Sequence, residues 1–190
     1  MKSNDVERIE SHLKEAGQVI LATVGLSAQV SDVADAAIAS LKAGGTIFWC
    51  GNGGSAADSQ HLAAELIGRY KHERKAISSI ALTTDTSALT ALSNDFGFEF
   101  VFSRQLEGLA RPGDVLVALT TSGSSESIIK AVEKAKEMGV TSVILTSIKY
   151  SGNHGDFVLK VPSEKTELIQ HAHTAIGHIV CELIESALLP

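Results

Sequence analysis

The 190-residue sequence has 44% hydrophobic and 20% charged residues and a net charge of −6 at pH 7. That length and balance suit one folded domain with a real core and argue against disorder. The acidic balance argues against nucleic acid as the main partner, because a phosphate backbone needs a basic surface, although a local pocket for one phosphate stays compatible with it.

The polar start, Met1-Lys2-Ser3-Asn4-Asp5, does not read as a signal peptide, and no apolar run reads as long enough to span a bilayer. A soluble, cytoplasmic protein without a membrane partner is the expectation. Cys50 and Cys181 lie far apart in apolar surroundings, which fits reduced thiols better than a disulfide framework.

In chain order, apolar residues recur at helical spacing from Asp5 to about Leu41, with Gly25 as a break, so two helices precede any strand. Gly44-Gly45 ends the second helix. Thr46–Cys50 is predicted as a buried strand and Ser55–Tyr70 as a helix. Ala76–Leu82 follows as a strand, then helices over Thr86–Leu92 and Phe98–Leu109. The turn Arg111-Pro112-Gly113-Asp114 leads into a strand at Val115–Leu119, followed by a helix over Ser124–Met138. Strands at Thr141–Thr146 and Phe157–Val161 and a long helix over Glu167–Leu188 complete the chain. Alternating strands and helices with apolar strand runs predict an α/β fold, a parallel sheet covered by helices on both faces. Residues 1–190 are expected to form one domain. The helical preamble, residues 1–43, exceeds what a small α/β core needs and hints at a subunit interface.

Ligands in such sheets bind at the carboxyl ends of strands, and two strand-to-helix turns carry unusual chemistry. The first is Cys50-Gly51-Asn52-Gly53-Gly54-Ser55, where glycines let a ligand approach the backbone and a helix N-terminus offers N–H groups to an anion. Ser55 is placed to cap that helix or donate its hydroxyl. A tight turn with a capping serine is the plainer alternative. A dinucleotide fingerprint fits poorly, since the next predicted strand runs into Thr83-Thr84 rather than an acidic residue; no nucleotide cofactor is expected. The second turn, Thr120-Thr121-Ser122-Gly123-Ser124-Ser125, sets five hydroxyls and a glycine at another helix N-terminus, a cradle for phosphate without a basic residue. Capping alone remains the alternative for either loop taken singly.

His61 and Glu65, four apart, share one helical face and can meet the same substrate or metal, unless they are a surface pair. Gln170, His171, His173 and His178 cluster in the last helix. Imidazole titrates near neutrality and binds borderline metals. A carboxylate base with a neighbouring acid or divalent metal suits aldose–ketose isomerisation through an enediol.

The segments Cys50–Tyr70, Ser93–Leu109 and Gly113–Gly139, with the similarity running over nearly the whole chain, resemble the sugar-isomerase (SIS) domain family and within it the phosphoheptose isomerases. The resemblance implies a flavodoxin-like fold and a homotetramer with active sites between subunits. The implied reaction converts sedoheptulose 7-phosphate to D-glycero-D-manno-heptose 7-phosphate, toward lipopolysaccharide or related heptoses. It implies Glu65 as general base and His178 as acid or second proton carrier. Substrate contacts implied are Asn52, Gly53, Gly54, Ser55, Glu65, Asn94, Asp95, Thr120, Thr121, Ser122, Ser125 and Gln170. Zinc is implied on His61, Glu65, Gln170 and His178. Gln170 and His178 are separated by about 12 Å of helix, so both reach one ion only if Gln170 stretches or the two come from different chains. Between Leu145 and Val161 the sequence departs from the family, with Thr146–Gly155 shorter than the usual glycine-rich loop. A non-catalytic SIS relative that binds the replication initiator is the alternative function; it lacks the matching Glu and His.

Overall fold

A computed structural model describes residues 2–152 and 154–189. Asn153, in the loop expected to be short, and the two terminal residues of the expected 1–190 domain lie outside the described residues. The order is α1 (Lys2–Ala22), α2 (Ser27–Lys42), β1 (Ile47–Gly51), α3 (Gly54–Ile67), β2 (Ser79–Ala81), α4 (Thr86–Phe96), α5 (Val101–Leu109), β3 (Val115–Leu119), α6 (Glu126–Glu137), β4 (Thr141–Ser147), β5 (Phe157–Val161) and α7 (Thr166–Leu188). A 3₁₀ turn at Thr23–Leu26 separates α1 from α2, at the break expected from Gly25.

The five strands form one sheet in the order β2-β1-β3-β4-β5, and every pairing is parallel. This is the flavodoxin-like order. Strands β1 and β3 are buried along their whole length, as the unbroken apolar runs require when both faces are covered. One face packs α2, α3 and α7 around Trp49, Val117, Val143 and Leu159. The other packs α5 and α6 around Phe48, Leu116, Ala118 and Ile144. The alternation of strand side chains thus feeds two cores, one on each side.

Several boundaries differ from the sequence reading, each for a local reason. The second strand shrinks from Ala76–Leu82 to Ser79–Ala81, because it is an edge strand whose pairing with β1 begins only at Ile47↔Ser79. Helix α3 stops at Ile67 rather than Tyr70, since Gly68 follows and other groups claim the amides of residues 70–72. Helix α6 starts at Glu126 with Ser125 as its N-cap, so the hydroxyl-rich turn is longer than expected. Finally, the helical run Asn4–Lys42 is long and apolar enough, by length and composition alone, to cross a membrane, against the expectation of no such run. Part of its apolar surface is spoken for: Val30, Val33 and Ala37 of α2 are buried in the core. In α1, Val6, Ile9 and Leu13 are more than half exposed.

Candidate active site

Strand order reverses between β1 and β3, because the chain leaves β1 for one neighbour and returns to build the other. The crevice at the carboxyl ends of these two strands is the place where open α/β sheets bind ligands. Gly51 pairs with Leu119, so the glycine loop and the hydroxyl loop leave the sheet side by side. The Asn52 amide Nδ2 donates to Ser127 Oγ at 2.9 Å, tying the glycine loop to the first turn of α6, just beyond the hydroxyl loop.

In the first loop Gly53 adopts φ +58° and ψ −122°, a conformation that a side chain would strain. It serves as the N-cap and has no side-chain oxygen to offer, so the first-turn amides of α3 are left without a side-chain cap. Ser55 is not that cap. It lies in the first turn of α3, 3% exposed, with its carbonyl accepting from Ser59 Oγ. In the second loop Thr120 is buried and its Oγ1 accepts from the Gly123 amide, while Ser122 Oγ accepts from the Ser124 amide. Ser125 makes no capping bond with its side chain. Thr121 and Ser125 are part-exposed and Ser122 exposed, lining the mouth of the crevice.

Helices α3 and α7 run parallel, side by side, in a nearly constant register. A side chain on Gly54 would fall 2.5 Å from Gln170 Nε2. One turn on, Thr174 Oγ1 donates to Asp58 Oδ1 at 3.1 Å. Another turn on, His61 Nε2 lies 2.8 Å from His178 Nε2. Leu62 fits against Gly177, where no Cβ has room. Two residues 117 apart in sequence therefore meet because two helices share a phase.

His61 Nε2 also lies 3.5 Å from Glu65 Oε1, and the donor atoms of His61, Glu65 and His178 all fall within 4.8 Å of one another. The expected His61–Glu65 pair is thus joined by His178. Glu65 and His178 are partly buried and His61 is exposed, so the cluster opens to one side. Two imidazole nitrogens and a carboxylate are a donor set suited to an open catalytic metal position. Gln170, by contrast, faces the glycine loop two turns back along α7. His171 is exposed, and His173 points into the core, where its Nε2 bonds the Thr146 carbonyl at 3.1 Å. Asn94 and Asp95 lie exposed at the end of α4, bonded to each other at 2.8 Å.

Sequence reasoning missed the group that fixes this cluster. Glu185, 1% exposed, accepts from the amides of Tyr70, Lys71 and His72 and from Arg74 Nε. Burial would raise its carboxyl, but those amides and the Arg74 guanidinium carry it below the ordinary carboxylate range. Arg74 spends its other donors on the carbonyls of Glu65, Leu66, Gly68 and Lys75, three of them at the open end of α3. The turn so held lays Tyr70 against His178. Asp58 was also missed. Burial pushes its carboxyl up, opposed by the Thr174 hydroxyl and by His61, and its Oδ2 is buried without a partner. Its position one turn before His61 on the same face was the available signal.

The sequence profile of the SIS domain family matches residues 11–147. A phosphoheptose isomerase of Akkermansia muciniphila is 54% identical over 167 residues, covering 86% of this chain and 88% of its own. One of Aquifex aeolicus is 47% identical over 188 residues, covering 95% and 96%. Among solved structures, a phosphoheptose isomerase of Francisella tularensis superposes with a TM-score of 0.91 at 32% identity, covering 96% of this chain and 98% of that one. One from Neisseria gonorrhoeae gives 0.88 at 40% identity, covering 95% and 98%.

Proposed function

From the premise that this chain belongs to the SIS domain family, as a phosphoheptose isomerase and hence an enzyme acting on sugar phosphates, we propose that it interconverts sedoheptulose 7-phosphate and D-glycero-D-manno-heptose 7-phosphate. The observation that carries this reading is the continuity of the site. Two donor-rich loops meet at the switch point, and about 10 Å further along α3 a carboxylate and two imidazoles meet.

The phosphate sits on the hydroxyl loop, held by Thr120, Thr121, Ser122 and Ser125 with the first-turn amides of α6. Asn52, Gly53, Gly54 and Ser55 border the sugar, and Gln170, beside Gly54, hydrogen-bonds its hydroxyls. Asn94 and Asp95 are exposed and hydrogen-bonded to each other, and their contribution is assigned to the active site of a neighbouring subunit. Glu65 removes the C1 proton of the ketose and returns a proton to C2, while His178 transfers the hydroxyl proton between O1 and O2. Charge then stays within the pair through the enediol.

Zinc fits the donor set of His61, Glu65 and His178. Gln170, the fourth implied ligand, is placed beside Gly54 and is assigned to the sugar instead. When bound, zinc supplies Lewis acidity at the sugar oxygens. The assembly is a homotetramer in which residues 1–43 supply contact surface, supported by the exposed Val6, Ile9 and Leu13 stripe. The setting is the bacterial cytoplasm, in heptose supply for lipopolysaccharide.

A coupled assay offering sedoheptulose 7-phosphate, ribulose 5-phosphate and fructose 6-phosphate tests this. Preferential turnover of the seven-carbon ketose is expected. Preference for either shorter sugar would sink the substrate assignment.

A further inference from the structure

The loop after β4 reaches the hydroxyl loop directly. Tyr150 is 5% exposed, and its ring lies so close under Gly123 that a Cβ there would collide with Cδ2 and approach the Tyr150 Cβ to 2.9 Å. Gly123 has φ +72°, so the loop backbone turns over the ring at a residue that only glycine fills without strain. On the other side Gly152 is just as close, with a Cβ there 2.7 Å from the ring Cζ. The hydroxyl is engaged twice with His154: it accepts from the amide at 3.1 Å and donates to the carbonyl at 3.3 Å. Beside the ring, Ser147 Oγ donates to the Thr121 carbonyl at 2.8 Å, and the Thr120 amide donates to the Leu145 carbonyl at 3.0 Å. Leu145, Ser147 and Tyr150 thus brace Thr120, Thr121 and Gly123, three residues of the cradle.

A cradle made of hydroxyls and amides has no charge to draw an anion in at a distance, so its affinity depends on donors already pointing the right way. A flexible serine- and glycine-containing turn would lose that alignment to its own disorder. We propose that Tyr150, with Ser147, is a positioning residue that holds the Thr120–Ser125 loop in its anion-binding shape, through an aromatic ring packed against the loop backbone and a hydrogen bond to the Thr121 carbonyl. This rests on the reading of that loop as the phosphate site. Tyr150 touches the loop backbone and acts through it.

The test measures inorganic phosphate as a competitive inhibitor, together with KM and kcat, in wild type, Tyr150→Phe, Tyr150→Ala and Ser147→Ala. Circular dichroism and thermal unfolding show whether each variant is folded. For Tyr150→Ala, the phosphate Ki and the KM are expected to rise together, about tenfold, with kcat held within about twofold; Tyr150→Phe keeps the ring and stays near wild type. Ser147→Ala shifts Ki and KM the same way by a smaller factor. A folded Tyr150→Ala with unchanged Ki, or with a loss confined to kcat, overturns the inference. Should Tyr150→Ala not fold, an unchanged Ki in Ser147→Ala overturns it. Failure of phosphate to compete in wild type would remove the phosphate reading of the loop itself, a result distinct from equal competition in wild type and variants.

Discussion

Tyr70 lies flat on the imidazole of His178, ring centroids 5.4 Å apart and planes 17° from parallel. The stack fixes the plane of an imidazole whose Nε2 faces His61. Tyr70→Ala removes a contact worth about 0.5–1.5 kcal/mol; kcat should fall by up to about tenfold with KM little changed. Tyr70→Phe keeps the ring and should behave as wild type. Steady-state kinetics on the two variants separate ring from hydroxyl, and equal losses in both would contradict the stacking role.

Glu185 and Arg74 are a buried ion pair, side chains 1% and 4% exposed, at 3.0 Å. Removing one partner strands the other, so Glu185→Ala should cost about 3–5 kcal/mol of stability, read from denaturant midpoints. The folded carboxyl is depressed, so its contribution is complete above the unfolded carboxylate pKa and fades as pH falls through the lower folded value. A wild-type protein less stable at neutral pH than at acid pH would contradict that sign.

His173 is fully buried on α7, and burial lowers its imidazole to about 4, opposed by its bond to Thr146. The folded protein therefore holds it neutral, with Nδ1 unpaired. Stability linked to this residue is complete above the ordinary value of 6.5 and declines as pH drops toward 4, by about 3 kcal/mol over the window. Stability from urea unfolding at pH 7.5 and 5 should differ by about 2 kcal/mol through this residue, the part of the window those two values span, and a His173→Leu variant should flatten the difference.

Glu65→Gln keeps the shape of the side chain and removes its basicity. Turnover should drop by about 10²–10⁴-fold while thermal unfolding stays near wild type. Stripping divalent metal with a chelator should depress the rate and zinc should restore it; full activity in verified metal-free protein would leave His61 and His178 with proton transfer alone.

Much of this architecture was readable from local pattern. Unbroken apolar runs such as Val115–Leu119 signalled buried parallel strands, and the glycines and hydroxyls of the two loops marked the ligand side of the sheet. His61 and Glu65 were visible as a pair because helix spacing alone brings them together. The link to His178 depends on the packing of α3 against α7, which no local spacing encodes. The Glu185–Arg74 pair was invisible for the same reason: its partners are mostly backbone amides and carbonyls, and any sequence supplies those. Tyr150, in the loop after β4, carries no local signal because its importance lies in a glycine 27 positions earlier.

The parallel register of α3 and α7 makes the site a matter of angular phase. Insertions or deletions in the loops that join the strands and helices between α3 and α7 leave the offset intact, since α7 still begins where β5 delivers it. One residue added within α7 ahead of His178 would turn the imidazole about 100° around the helix axis, away from His61. The eight-residue interval from Gln170 to His178 within α7 is therefore set by the geometry of the site in a way that the lengths of the connecting loops are not.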